Sequence, residues 1–207
     1  MNPITSAREI AAAGMLLASY PLEVLTRLQF PRGWRRSRDT VILAHGLDGD
    51  RTNLLAFALA LRLAGFDTLG FFEYPARQAL EVSAAQMAEM GAQADGGAGV
   101  HLIGRSLGGP IARMAAARSA NGGVRSLVTI GSPYAAECHS PSEVAIFGAE
   151  DPIVPPPRGD RFPHGMFKRM IVLRNTGHLG VLYHERTVCV TLAELAAHRA
   201  ASRSAQG

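Results

Sequence analysis

A serine between glycines is the strongest chemical signal in the chain. Residues 104–108 read Gly-Arg-Ser-Leu-Gly, with a strand-like apolar run before them and a helical pattern after them. A serine on so tight a turn has a strained backbone, which glycines two residues before and after it make sterically possible. The turn lifts the hydroxyl of Ser106 above the end of a sheet and places a helix N-terminus beside it. The pattern therefore predicts a nucleophilic serine.

A serine hydroxyl becomes a good nucleophile only when a histidine takes its proton and a carboxylate orients that histidine. In this strand-turn-helix context the order along the chain is serine, then acid, then histidine. Asp151 follows an apolar run and precedes a proline, and His178 lies on a glycine-flanked loop after the last apolar run. We predict a catalytic triad of Ser106, Asp151 and His178.

Other residues compete for the acid and histidine roles. Glu150 is adjacent to Asp151, although the proline that follows the aspartate favours Asp151 as the fixed acid. His164 and His184 are alternatives to His178, but the first falls within a predicted loop and the second near the start of the final helix. The order and the strand-end position favour His178.

An acyl-transfer reaction also needs backbone N–H groups that stabilise the oxyanion. One comes from the residue after the nucleophile, Leu107, and the other from the loop after the first predicted strand, where residues 45–47 read His-Gly-Leu. We predict that Leu47 and Leu107 form the oxyanion hole, that Gly46 lets the backbone approach the substrate, and that His45 is structural.

Arg105 stands one residue from the nucleophile and is a candidate substrate contact. Its guanidinium could bind a carboxylate or a phosphate of the substrate. It could equally brace the next loop from the surface.

Short apolar runs alternate with longer amphipathic segments from residue 39 onward, which is typical of a parallel sheet covered by helices on both faces. We predict six strands, at residues 40–44, 68–72, 99–103, 124–130, 143–147 and 170–173. Helices are predicted at residues 52–64, 80–94, 107–119 and 187–203. Because parallel strands end at one edge, the loops that carry the candidate residues should meet there. The fold class is therefore α/β, about six mostly parallel strands with helices on both faces.

The connections leave little room for an additional domain. Residues 132–142 join the fourth and fifth strands with at most a short helix, and residues 151–169 form a predicted surface loop. We predict a fold without a lid domain.

Residues 1–38 are predicted to be an N-terminal helix with a basic connector, and residues 39–203 the catalytic domain. The apolar run at residues 10–22 is shorter than the ~20 residues that cross a membrane, so we expect a helix packed on the domain. Residues 32–38 gather four arginines around Trp34. They predict a solvated connector, with peripheral membrane contact through the helix as the alternative. We expect a cytoplasmic protein, with membrane association and export left open.

Composition excludes several classes of function. The 207 residues are 47% hydrophobic and carry a net charge of +4, with the arginines spread along the chain, so we expect no nucleic-acid partner. The single lysine, Lys168, does not follow a glycine, which excludes an ordinary phosphate-binding P-loop. The two cysteines have neither disulfide-framework nor metal-ligand spacing. We predict no metal.

The motifs together resemble those of small lidless α/β-hydrolases of the bacterial lipase and esterase kind, with some similarity to PGAP1-like lipases. The resemblance spans roughly residues 39–200 and is carried by residues 45–46, 104–109, 128–133, 151–155 and 177–180. It implies a Ser-Asp-His triad, an acyl-enzyme, activity on esters, and no metal or organic cofactor. Many lipases have histidine where this chain has Arg105. Lipases also often have histidine where it has Tyr134, which we take as a further candidate substrate contact.

The sequence therefore predicts a serine hydrolase of carboxylic esters whose partner is a small ester or thioester. The same fold and triad could instead serve a thioesterase, or a lactonising or cyclising acyl-transfer enzyme of a biosynthetic pathway. The third hypothesis is a binding scaffold without catalytic activity.

Overall fold

The strands lie within a few residues of the predicted runs. The computed structural model describes residues 2–19, 39–47, 49–66, 68–97, 99–119, 123–134, 140–157 and 167–204. Its strands are β1 (Val41–Ala44), β2 (Leu69–Phe72), β3 (Val100–Arg105), β4 (Val124–Ile130), β5 (Ser140–Gly148) and β6 (Phe167–Leu173). They form one sheet in the order β2-β1-β3-β4-β5-β6, and all five pairings are parallel. The predicted fold class is confirmed.

The helices follow the predicted pattern with three differences. They are α1 (Pro3–Ser19), α2 (Leu55–Leu63), α3 (Leu80–Ala94), α4 (Gly108–Arg118), α5 (Gly180–Tyr183) and α6 (Glu185–Ser204). The segment predicted as helix 52–64 begins with a 3-10 turn, Arg51–Leu54, and α6 begins two residues before the predicted start. The four-residue α5 was not predicted. Its sequence, Gly-Val-Leu-Tyr, has little helical propensity, and the burial of Val181 and Leu182 holds it in place.

Two apolar clusters hold the helices on opposite faces of the sheet. On one face Leu43 and Ile103 pack with Phe57 of α2 and Leu195 of α6. Side chains of α3 and α4 pack on the other face, in a cluster that includes Met87. Because neighbouring residues of a strand point to opposite faces, the continuous apolar runs of the central strands serve both clusters.

The parallel register brings four loops to one edge of the sheet. Ala44 pairs with Gly104 at the ends of β1 and β3, and Gly148 pairs with Leu173 at the ends of β5 and β6. The loops after these strands contain Leu47, Ser106, Asp151 and His178. The sheet therefore gathers the residues that the sequence selects.

The connections contain no inserted domain within the described ranges. The stretches left undescribed between β4 and β5 and between β5 and β6 are residues 135–139 and 158–166, which are too short to form one. The alternative histidine His164 lies in the second of these stretches, and the basic segment 32–38 lies in the undescribed stretch 20–38. Among the described helices, none is long and apolar enough to cross a membrane.

The N-terminal helix α1 lies against the edge of the sheet that carries the candidate residues. Its inner face buries Thr5 and Ala12, and its outer face exposes Ile10 and Leu17. Contact of this helix with a membrane surface, and the cytoplasmic location, stay predictions.

Candidate active site

Ser106 occupies the strained turn that its sequence predicts. Its φ angle is +48°, in the left-handed region that non-glycine residues rarely adopt. The Ser106 N–H donates to the carbonyl of Ile130 at 3.0 Å, and the Gly109 N–H donates to the Ser106 carbonyl at 2.9 Å. Hydrogen bonds on both sides therefore hold the turn.

The two motif glycines are required by close backbone approaches. A Cβ at Gly104 would lie 2.6 Å from the carbonyl carbon of Gly108, and a Cβ at Gly108 would lie 2.5 Å from the carbonyl oxygen of Ala44 and 2.6 Å from that of His45. The turn is thus pressed against the loop after β1. A larger residue at Gly108 would separate the nucleophile from that loop, and one at Gly104 would push the start of α4 away from β3.

His178 connects Ser106 to Asp151 by hydrogen bonds. The Nδ1 atom of His178 lies 2.7 Å from Oδ2 of Asp151, and Nε2 lies 3.2 Å from Oγ of Ser106. A carboxylate can only accept at Nδ1, so the neutral ring carries its proton there and presents Nε2 as the acceptor for the serine proton. The three residues predicted as a triad are therefore brought together with the polarity that proton transfer from the serine requires.

Asp151 is fixed by its own loop. Its side chain is fully buried, and Oδ1 accepts hydrogen bonds from the N–H groups of Ile153 and Val154, both at 2.8 Å. The other oxygen remains for His178. Glu150, its competitor in the sequence, points instead to α1, where it accepts hydrogen bonds from Asn2 and Thr5.

The alternative histidine lies elsewhere. His184 accepts a hydrogen bond from the N–H of Arg186 and lines a second cavity, together with Arg8 and Met15 of α1. Burial lowers the pKa of His184, and the positive charge of Arg8 adds to this effect.

The loop after β1 lies directly beside the nucleophile. A Cβ at Gly46 would be 3.1 Å from the Cβ of Ser106, so the absent side chain lets the Gly46–Leu47 backbone approach the reacting hydroxyl. Leu107 precedes the first residue of α4, where N–H groups have no partner within the helix. These positions suit the two oxyanion donors predicted from the sequence.

His45 and Tyr74 brace this loop from behind. Their rings stack with centroids 4.4 Å apart, and the Tyr74 hydroxyl donates to the His45 carbonyl at 2.7 Å. The His45 ring hydrogen-bonds the Gly46 carbonyl through Nδ1 at 2.8 Å. Burial raises the pKa of Tyr74, so it remains a neutral donor.

A cavity of about 380 Å³ opens above Ser106 and His178. Its wall is largely aliphatic, and the polar side chains of Arg105 and Tyr183 also line it. The apolar part of the wall includes Leu47, Ile153, Leu179 and Leu182. Tyr134, predicted as a substrate contact, packs edge-on against Phe147 with ring centroids 5.8 Å apart; its contact with substrate stays a prediction.

Glu9 holds the histidine loop, and this role was not predicted from the sequence. The Glu9 carboxylate accepts hydrogen bonds from the N–H groups of Gly177, Leu179 and Gly180 at 3.2, 2.8 and 2.7 Å. A Cβ at Gly177 would lie 2.7 Å from the Glu9 carboxyl carbon, which explains a glycine beside the histidine. The only sequence feature that could have pointed to Glu9 is a carboxylate near the start of an apolar helix.

A second link joins α1 to both loops. Nδ2 of Asn2 donates to Oε1 of Glu150 at 2.7 Å and to Oδ1 of Asn175 at 2.8 Å. Asn175 itself has a positive φ of 53°. The acid loop and the histidine loop are therefore tied to one helix.

Gly131, at the end of β4, makes room for the acid and histidine pair. Its φ is +53°, and a Cβ there would be 3.0 Å from Val181, 3.6 Å from Nδ1 of His178 and 3.7 Å from Oδ2 of Asp151. Its place in the site was not recognised from the sequence. Across the described ranges, no three His, Cys, Asp or Glu side chains form a group that could hold a metal ion.

No protein-family model and no curated protein sequence matches the chain. Solved structures do match it in fold. A serine hydrolase without a lid from Xanthomonas campestris aligns with a TM-score of 0.57 and 16% identity over 80% of this chain and 82% of that one. A thermophilic esterase from Thermogutta terrifontis aligns at 0.54 and 17% identity over 77% and 90%.

Acyl-protein thioesterase 2 of Zea mays aligns with a TM-score of 0.54 and 16% identity over 80% of this chain and 96% of that one. The similarity thus covers most of each protein at identities that report on the fold alone. Together with the six-stranded parallel sheet and the serine turn after β3, it shows that the chain has the α/β-hydrolase fold, with no lid domain among the residues that the structure describes.

Proposed function

We propose that this protein is a serine hydrolase that cleaves carboxylic esters through an acyl-enzyme. The observation that carries the proposal is the hydrogen-bonded series from Asp151 through His178 to Ser106, with the serine in a left-handed turn above the sheet. Three separate loops supply these residues, and a cavity opens over them. Such an arrangement supports acyl transfer.

In the acylation step, Nε2 of His178 takes the proton of Ser106 as Oγ attacks the ester carbonyl carbon. The negative charge that develops on the carbonyl oxygen is stabilised by the N–H groups of Leu47 and Leu107. Asp151 holds the imidazolium that forms and keeps its Nε2 directed at the substrate. The intermediate then collapses, the C–O bond to the alcohol breaks, and His178 gives its proton to the leaving oxygen.

In the deacylation step, water attacks the acyl-enzyme carbonyl and His178 takes its proton. The second tetrahedral intermediate releases the carboxylic acid, and the proton returns to Oγ of Ser106. The cycle uses only the residues named, with no net consumption of a cofactor.

The cavity supports small, soluble esters as substrates. It is limited in volume and has no lid among the described segments, so we expect ordinary saturation with monomeric esters and no jump in rate when the ester forms micelles. The narrower relationship to PGAP1-like lipases remains a prediction from the motifs. A sharp interfacial activation would contradict the proposed substrate class.

Thioesters are the second candidate substrates, because the same acyl-enzyme forms when a thiol leaves. One protein of the same fold is named as an acyl-protein thioesterase, which supports testing this class. Transfer of the acyl group to an internal nucleophile, giving a lactone or another cyclic product, requires the same first step. Product analysis with a thioester of a hydroxy acid separates hydrolysis from cyclisation.

The test is labelling with a fluorescent fluorophosphonate, followed by turnover of p-nitrophenyl esters of increasing chain length. The Ser106→Ala and His178→Ala variants should lose both the labelling and the ester turnover. Ser119→Ala and His184→Ala are the matched controls, since Ser119 bonds its own helix and His184 lines a different cavity. A folded wild-type protein that neither labels nor turns over any ester would support the scaffold reading instead.

A further inference from the structure

Arg105 is a buried cation beside the nucleophile. Only 8% of it is exposed, and it lines the cavity with Ser106. Its Nε atom is buried without a hydrogen-bond partner among the described residues. Burial lowers the pKa of Arg105, but an arginine remains charged near neutral pH.

The nearby carboxylates are already engaged. Asp151 and Glu9 are both close enough to Arg105 to favour its charged form. Both oxygens of Asp151 accept hydrogen bonds from His178 or from its own loop, and Glu9 accepts three backbone N–H groups of the histidine loop. Neither forms an ion pair with Arg105 in the described structure.

The nearby phenols are engaged in the same way. Tyr183 donates to the carbonyl of Asn53 at 2.9 Å, and Tyr74 donates to the carbonyl of His45 at 2.7 Å. The hydroxyl groups of both tyrosines are therefore directed at backbone oxygens.

Arg113, on α4, shows how the same protein satisfies a buried arginine. Its guanidinium hydrogen-bonds both oxygens of Glu143, at 2.8 and 2.9 Å, and also the carbonyl of Pro133 and the hydroxyl of Thr129. A buried charge without such acceptors is costly. Arg113 therefore faces a carboxylate, Glu143, whereas Arg105 faces a cavity.

We propose that the missing acceptor is the substrate, and that Arg105 selects esters whose acyl part ends in a carboxylate. The inference rests on the proposed function. A guanidinium pairs with a carboxylate through two parallel hydrogen bonds. A Cβ at Gly46 would lie 2.9 Å from Nη1 of Arg105 and 3.6 Å from Oγ of Ser106. The guanidinium is therefore close to the reacting hydroxyl, and a short spacer separates the substrate carboxylate from the reacting carbonyl. Half-esters of small dicarboxylic acids have this form.

The test compares the monomethyl half-esters of succinic, glutaric and adipic acids with their neutral dimethyl diesters. The rate of hydrolysis is measured as the release of acid in a pH-stat. The wild type should prefer the best half-ester in kcat/KM by about ten- to hundredfold, which is the strength of a charge-assisted hydrogen bond. Arg105→Gln should abolish this preference and Arg105→Lys should restore part of it. Arg118→Gln, which removes an exposed charge from α4, should keep the wild-type ratio.

A measurement on the unmodified protein covers the case in which Arg105 variants fail to fold. Glutarate should slow fluorophosphonate labelling of Ser106, and the effect should weaken at high salt, whereas neutral glutaramide should not slow it. Equal protection by the two compounds, or a wild type that cleaves diesters and half-esters equally, would overturn the inference. Labelling and diester turnover would then still support the proposed function, and their absence would reject the function itself.

Discussion

The serine turn is held by close approaches between backbones, whereas the acid and histidine loops are also held by hydrogen bonds to a segment far away along the chain. The serine turn depends on Gly104, Gly108 and the loop after β1. The contacts from Asn2 and α1 to the acid and histidine loops span 145 to 173 residues. The site therefore combines a nucleophile half that is set by close packing with an acid and histidine half that α1 ties together.

The two halves should respond differently to mutation. The close backbone approaches at Gly104 and Gly108 fix the nucleophile half, and only a substitution that adds a side chain at these glycines disturbs it. The acid and histidine half depends on hydrogen bonds from Asn2, Thr5 and Glu9, which can be removed one at a time. Perturbing α1 should therefore affect the position of the histidine and leave the serine turn intact.

The largest effect is expected from Gly108→Ala. Its Cβ would lie 2.5 Å from the Ala44 carbonyl oxygen, so the serine turn and the loop after β1 must separate. We expect ester turnover to fall by at least about a hundredfold, since a displacement of about 1 Å has that effect. Gly14→Ala is the control because open space surrounds Gly14 on α1. Full activity in Gly108→Ala would refute the steric account of this half.

A smaller effect is expected from Glu9→Ala, which leaves three N–H groups of the histidine loop without an acceptor. We expect kcat to fall by about tenfold or more, with KM little changed, because one to three kcal/mol of loop stability is lost. Glu9→Gln keeps one acceptor oxygen and should recover part of kcat.

An unchanged kcat in a well-folded Glu9→Ala protein would show that α1 does not position the histidine. A fall in thermal stability alone would be a structural effect, so the deciding readouts are the fall of kcat at constant KM and its partial recovery in Glu9→Gln.

Asn2→Ala should have a still smaller effect. It removes the link between Glu150 and Asn175 but leaves the Glu9 contacts in place. We expect a loss of a few-fold in kcat, in line with one hydrogen bond to a carboxylate and one to a neutral amide at a partly buried position. Turnover at saturating ester measures it, and a loss larger than that of Glu9→Ala would reverse the ranking of the two links.

The smallest effect on activity concerns His101, which lies on β3 beneath the nucleophile half. It is fully buried, hydrogen-bonds Ser126 at 2.7 Å, and burial lowers its pKa to about 3. Its contribution to stability is therefore fully present above the unfolded value of about 6.5 and is lost as the pH falls toward 3.

Chemical unfolding should show a loss of about 2 kcal/mol between about pH 7.5 and pH 5, because one pKa unit corresponds to about 1.4 kcal/mol. His101→Asn should flatten that slope and leave turnover near neutral pH unchanged. An equal slope in both proteins would assign the acid sensitivity to another group.

The same division decides what the sequence could predict. The order of Ser106, Asp151 and His178, and their places after strands, follow from local patterns, and so does the six-stranded sheet. Glu9 was not predictable because its partners lie 168 to 171 residues away and backbone N–H groups have no residue-type signature. The short α5 escaped detection because packing, rather than propensity, forms it. Tyr134 was selected because lipases often have histidine at this place; its ring packs on Phe147, and its contact with substrate stays a prediction.

The central claim is that Ser106 carries the acyl group during turnover, and trapping that intermediate tests it most directly. The protein would be mixed with excess p-nitrophenyl ester, quenched in acid during turnover and examined by intact and peptide mass spectrometry. The account predicts a burst of p-nitrophenol of up to one per chain and an acyl mass on the peptide that contains Ser106, absent in Ser106→Ala. Turnover that persists in Ser106→Ala, or an acyl group found on another residue, would contradict it.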